Sequence, residues 1–192
     1  PRSWLSSPRP RDDAPPVVVV GAGPAGLFAA WHLAEHGARV HLVERGKPVE
    51  TRARDFGRFR GRGQLDLESN LCFGEGGAGT YSDGKLTCRR GGPLKREVLE
   101  RLVEAGAPER ILTDAKPHVG TNKLFALLKG IRKRLLDHGV TLHYQTRLES
   151  LQLRDGRIVG IVCSRGAQRK EGERFVDGIS PVTGRLDAPR VV

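Results

Sequence analysis

Apolar residues recur along this chain in two periods, and the switches between them mark out its elements. Val17 to Val20 is an unbroken β-branched run, as in a strand buried on both faces of a parallel sheet. Ala25 to His36 reads as a helix stopped by Gly37 at its C-terminal cap, and Arg39 to Glu44 as a second short strand. Together they make a βαβ unit.

Periodicity fades between Arg45 and Arg90, where glycine and arginine crowd and only Arg52 to Phe59 reads as helical. A loop this long inside a compact domain is uncommon unless it binds something. Pro93 then suits a helix first turn, and Leu94, Val98, Leu99, Leu102 and Val103 share a face before Gly106. Pro108 to Leu112 adds one turn. Thr121 is placed to cap a helix running to about Asp137, with Leu124, Leu127, Leu128, Ile131 and Leu135 on its apolar stripe and Gly139 closing it.

Val140 to Tyr144 reads as a strand. Arg147 to Leu153 and Arg157 to Cys163 alternate around Asp155-Gly156, a strong two-residue hairpin signal. Beyond Ser164 the chain is polar until Arg190-Val191-Val192, which reads as the start of a strand cut short. The pattern predicts an α/β fold of the Rossmann-like kind, with a βαβ start, a parallel sheet and a late β-hairpin, as one domain over 17–163 preceded by a linker at 1–16. A polar segment follows at 164–192, leaving the domain incomplete at its C-terminus.

Gly21-Ala22-Gly23-Pro24-Ala25-Gly26 is a GxGxxG turn between the first strand and its helix. The first glycine allows the tight turn, the second lets backbone approach a pyrophosphate, and the third lets helix and strand pack closely. The pyrophosphate would sit on the helix N-terminus, where free N–H groups and the helix dipole favour anions. Glu44 lies eighteen residues beyond Gly26 at the end of the second strand, where a carboxylate accepts from both ribose hydroxyls of an adenosine. Its charge argues against a phosphate on that ribose.

The stretch "VVVVGAGPAGLFAAWHLAEHGARVHLVERG" resembles the FAD-binding form of this unit, in which Glu-Arg, here Glu44-Arg45, follows the second strand. The NAD-type Rossmann motif is the alternative. "ESNLCFGEGGAGTYSDGKLTCR" at Glu68 to Arg89 and "AKPHVGTNKL" at Ala115 to Leu124 resemble a family of FAD-dependent, NAD(FAD)-utilising dehydrogenases, the similarity running from about Val17 to Gly160. Cys72 stands where that pattern has glutamine, and Tyr81 where phenylalanine is common.

The resemblance implies a glutathione-reductase-like FAD fold in which the glycine-rich segment, 68–90, packs beside the flavin and the helices of 93–137 face the substrate. Gly76, Gly77, Ala78 and Gly79 lack side chains that would hold a ring or phosphate away, and successive N–H groups there can form an anion-binding nest. Arg52 is expected to contact FAD phosphate or the ribityl chain. Lys85 is a candidate to stabilise negative charge on the flavin, and His118 a candidate proton relay, since histidine titrates near neutrality.

The remaining composition narrows the partners. The net charge is +11, but the arginines are scattered and few aromatics are interleaved, so a nucleic-acid groove is not expected. The three cysteines form no CxxC pair and no metal-like cluster with histidine, which points to a reducing, cytoplasmic setting and no metal site. Val17 to Ala34 is apolar enough to mimic a membrane span, but three glycines and Pro24 in it favour strand, turn and helix. The expected function is an FAD-dependent oxidoreductase moving a hydride between a small-molecule substrate, or NAD(P)H, and flavin. The alternative is an RNA-associated flavoprotein or a non-catalytic nucleotide-binding module.

Overall fold

The structure is a computed structural model that describes residues 15–88, 91–165, 184–187 and 190–192. Most of the predicted leading linker, and most of the polar segment after Arg165, lie outside those residues. The first layer is a parallel sheet of β1 (Val17–Val20), β2 (Val40–Val43), β3 (Thr141–His143) and β7 (Arg190–Val191), in the order β3-β2-β1-β7. Three successive valines of β1 are buried, so both faces of this strand are covered. Arg190 and Val191 pair with Val17 and Val18, making the last strand a neighbour of the first.

One face of the sheet carries α1 (Pro24–Glu35), with α3 (Pro93–Glu104) and α4 (Thr121–Asp137) packed around it. Val19, Val40, Leu42 and Leu142 from the strands meet Leu27, Trp31, Leu127, Ile131 and Leu135 there in one continuous core. The opposite face presents Val18 and Val43 to a second, antiparallel sheet of β4 (Thr146–Arg154), β5 (Arg157–Arg165) and β6 (Gly184–Asp187). Ile161 and Cys163 of β5 complete that smaller core. Helices, parallel sheet and antiparallel sheet therefore form three layers, as the α/β reading anticipates.

Local chemistry accounts for most boundaries. The β4–β5 hairpin turns through Asp155 (φ 51°) and Gly156 (φ 73°), both left-handed, as its two-residue loop requires. Gly37 leaves α1 at φ 78°, with its N–H on Ala34 O and the next N–H on Leu33 O. Helix α2 (Val49–Arg62) is longer than its sequence pattern predicts, because its first half is held by burial of Val49, Arg52 and Asp55.

Three expectations need correction. Helix α4 is capped by Gly120 with no side-chain cap bond, so Thr121 is its first helical residue. The buried face of α3 is centred on Leu99, Arg101 and Leu102, leaving Leu94 and Val98 exposed. The turn of the helix follows Arg101, which makes a buried 2.7 Å ion pair with Glu35 of α1. The polar tail contains a strand, β6, whose four residues pair with Gly160 to Cys163.

Gly26 lies where α1 crosses back over the first turn, and a Cβ there would stand 1.9 Å from the carbonyl oxygen of Gly21. Gly26→Ala is expected to cost about 3 kcal/mol, because the clash is with backbone that cannot rotate away; thermal unfolding measures it. His41 and His143, on adjacent strands, stack with Nδ1 of one 2.9 Å from Nε2 of the other. Burial, then the neighbouring imidazole and Arg39, pull the His41 pKa below its ordinary value. The unfolded chain therefore binds the extra proton first, so stability is full above about pH 6.5 and is lost as pH falls from there through the folded-state pKa. His41→Gln should flatten that acid limb in urea titrations run between pH 5 and 7.

Candidate functional site

The C-terminal ends of β1 and β2 open onto a cavity of about 350 Å³ lined by Gly21, Gly23, Glu44, Arg45, Phe73 and Arg147, among others. Ligands in doubly wound sheets bind at this end of the strands. Helix α1 points its N-terminus at the same place. Pro24 is its first residue, Gly23 is its N-cap, and no side chain caps it. Pro24 and Ala25 are exposed, so the positive end of the helix dipole faces the crevice.

The glycines divide into two groups. A Cβ on Gly21, Gly23 or Gly79 would meet no atom within 4 Å, so their bareness leaves room beside the turn. A Cβ on Gly46 would stand 2.4 Å from Gly74 N, one on Gly74 2.5 Å from Arg52 Cδ, and one on Gly76 2.3 Å from Thr80 Oγ1. Those three are bare so that the glycine-rich loop can lie against its own protein. Gly77 stands between the groups, with its added Cβ 3.4 Å from Gly23 Cα. The loop runs into a 3-10 turn at Gly77–Tyr81, where Ala78 and Gly79 are exposed.

Glu44 joins the two segments. It is 6% exposed; Oε2 accepts from Ala22 N at 2.8 Å, and Oε1 accepts from Gly46 N at 2.8 Å and Gly74 N at 2.9 Å. A carboxylate offers about four lone-pair sites, and three are occupied here. Glu44 is therefore first a structural staple, with room for one further donor instead of the two ribose hydroxyls expected from sequence. Arg45 lines the cavity, laid over the Phe73 ring at 3.9 Å and paired with Glu68 at 2.9 Å.

Arg52 is not at the cavity. It is fully buried beneath the loop, and its guanidinium donates to the carbonyls of Asn70, Leu71 and Glu75 and to Thr80 Oγ1. The expected contact with phosphate or ribityl chain is thus corrected: its donors are spent on backbone. Glu75, also fully buried, accepts from Tyr144 Oη at 2.6 Å and from Val49 N at 2.8 Å. Burial raises its pKa, against the opposing pull of Arg132 and these two hydrogen bonds.

Lys85 and His118 come together, but outside the crevice. They face each other across an antiparallel bridge, with Leu86 N on Pro117 O and Val119 N on Gly84 O. Both are exposed, and Lys85 pairs with Asp83 at 2.8 Å at the surface. Neither lines the cavity.

Sequence reasoning missed Cys72 and Phe73 as lining residues, and the wall formed by Thr146, Arg147 and Leu148. Arg147 shares Glu68 with Arg45, closing a bridge of Arg45, Glu68 and Arg147 across that side. No motif announces this wall, because β4 reaches β2 only through the fold. Among the described residues no group of three or more His, Cys, Asp or Glu could hold a metal, and no helix is long and apolar enough to cross a membrane.

An uncapped, glycine-lined helix N-terminus over a cavity walled by a strand-end carboxylate defines a dinucleotide-binding α/β protein. Residues 16–120 match the family model described as "DAO: FAD dependent oxidoreductase", and the chain belongs to that family. It is 44% identical over 147 residues to a Clostridium beijerinckii protein described as uncharacterized, covering 77% of this chain and 28% of the relative. It is 30% identical over 148 residues to a thiamine thiazole synthase of Aeropyrum pernix, covering 77% and 43%. The chain thus spans less than half of either relative. The fold is shared with the crystal structure of a Bacillus halodurans glycerol-3-phosphate dehydrogenase complexed with FAD, at a TM-score of 0.52 and 14% identity over 94% of this chain and 34% of that one.

The residues present fit FAD in their chemistry, since the open glycines, the uncapped helix end and the strand-end carboxylate border one cavity. Gly23→Ala separates this from structural roles. Its Cβ enters empty space at φ −74°, so the melting temperature should stay within about 2 °C. FAD affinity should fall about 10-fold or more, because the methyl group occupies the approach to the pyrophosphate. Equilibrium flavin titration of both proteins checks it.

Proposed function

We propose that this chain is the nucleotide-binding portion of an FAD-dependent oxidoreductase that moves a hydride between a small-molecule substrate, or NAD(P)H, and flavin. The observation that carries the reading is the exposed, uncapped N-terminus of α1 set against the Glu44-walled cavity. Gly23 and Ala25 turn backbone N–H groups and the positive end of the helix dipole toward the pyrophosphate, while Gly21, whose own N–H is held by Val43 O, and Pro24, which has none, shape the turn that admits it. Glu44 offers its remaining acceptor site to a ribose hydroxyl, while Arg45 and Phe73 flank the adenosine.

Gly77, Ala78 and Gly79 extend the cofactor track away from the adenosine end, their small size allowing close approach. The parallel βαβ start with an antiparallel sheet on its far face supports the glutathione-reductase-like version of the fold. Bound flavin supplies the hydride chemistry; the protein orients it and excludes water. His118 and Lys85 take a lesser part, their exposure leaving them available to a substrate approaching the bridge from solvent.

The purified full-length protein should carry flavin absorbance that bleaches on anaerobic addition of NADH, NADPH or a substrate. A protein that remains colourless after incubation with excess FAD would falsify the reading.

A further inference from the structure

We infer that Arg52 is a positioning residue of this site: it holds the glycine-rich loop in the shape that meets the dinucleotide, without touching the cofactor. The inference rests on the flavoprotein reading above and adds to it a group that no motif assigns to this task. Arg52 is a fully buried cation with no ion pair among the described residues. Its direct contacts are carbonyl dipoles and one hydroxyl, with the Glu44 and Glu75 carboxylates acting from further off. Nε donates to Asn70 O at 2.8 Å, Nη2 to Leu71 O at 2.7 Å, and Nη1 to Glu75 O at 2.7 Å and Thr80 Oγ1 at 2.8 Å. Thr80 Oγ1 in turn donates to Glu75 O at 3.0 Å, closing a small ring of bonds around one peptide group.

That peptide links Arg52 to the nucleotide turn. In a trans peptide the C=O and the following N–H point in opposite directions. The carbonyl of Glu75 is drawn inward to Arg52, so the N–H of Gly76 points outward, and it donates to the carbonyl of Ala22 at 2.7 Å. Ala22 is the second residue of the Gly21–Gly26 turn. The preceding peptide repeats the arrangement: Gly74 O lies 3.4 Å from Arg52 Nη1, and Glu75 N donates to Lys47 O. The two successive peptide planes on either side of Glu75 are thereby set by one side chain, and Gly76 takes the left-handed φ, 84°, that follows.

Arginine suits this place and lysine does not. Its planar fork spreads donors over three carbonyls and a hydroxyl, whereas an ammonium offers three donors around one point. The fit is reciprocal, since any side chain at Gly74 would strike the Arg52 stem. The Tyr81 ring covers the guanidinium at 4.9 Å.

The test uses hydrogen exchange of the FAD-free full-length protein together with FAD titration, for Arg52→Met and the milder Arg52→Lys. Arg101→Met serves as the control: it removes another buried arginine, the one pairing α3 with α1, far from the loop in sequence. In both Arg52 variants the amides of Gly74, Gly76 and Gly77 should exchange about 10-fold faster or more, and the FAD dissociation constant should rise by a similar factor. Amides of β1 and β2 should keep their protection. Arg101→Met should lower the melting temperature while leaving loop exchange and FAD affinity as in the wild type.

Unchanged loop exchange in Arg52→Lys and Arg52→Met overturns the inference. So does an Arg101→Met protein that loses FAD affinity in proportion to its stability, since Arg52 would then be one structural group among several. A wild-type protein that takes up no FAD sinks the flavoprotein reading instead, and loop exchange still decides whether Arg52 sets the loop.

Discussion

The carboxylate of Glu44 holds three chain segments at one point. Its oxygens accept from Ala22 in the nucleotide turn, Gly46 just after β2, and Gly74 in the glycine-rich loop. The N–H groups converge on an anion buried to 6% exposure, so the staple is charge-assisted and poorly screened. Remove it, and the loop loses its registration on the first turn, and with that the wall of the cavity. Arg52 performs the complementary task from below with its carbonyl contacts, so one anion collects N–H groups and one cation collects C=O groups on the two sides of the same loop. The backbone between them has little freedom left.

This arrangement explains why glycine is dense there. A flexible linker would scatter glycines without regard to packing. Here Gly46, Gly74 and Gly76 are each pressed against a specific atom of the protein, while Gly21, Gly23 and Gly79 border open space. The same residue type thus serves two physical ends within one site: close packing of the chain on itself, and close approach of a ligand to the chain.

What the sequence made legible was short-range. The turn Gly21 to Gly26, Glu44 at the end of β2, and the Asp155-Gly156 hairpin are each announced by a short local pattern, and each stands where that pattern predicts. Arg52 was legible as important but not in its role, since sequence cannot tell a guanidinium facing a phosphate from one facing carbonyls. The exposed face of α3 misled for a related reason: Arg101 is polar in isolation, yet Glu35 offsets part of the cost of burying it. Thr146, Arg147 and Leu148 were beyond reach because their place depends on where β4 lies against β2. Strand β6 was hidden by composition, its polar Gly-Arg-Leu-Asp reading as loop until β5 supplied a partner.

The cavity wall formed by β4 also has a bearing on how the protein assembles. The β1–α1–β2 half is built from contacts close in sequence, whereas the bridge between Glu68 and Arg147 spans 79 positions. Closing so long a loop carries an entropic cost that local pairing does not meet. The cavity wall therefore depends on a contact that local structure alone does not supply, and a ligand that fits the cavity would favour the folded state. Cofactor supply would then act on the yield of folded protein as well as on its activity.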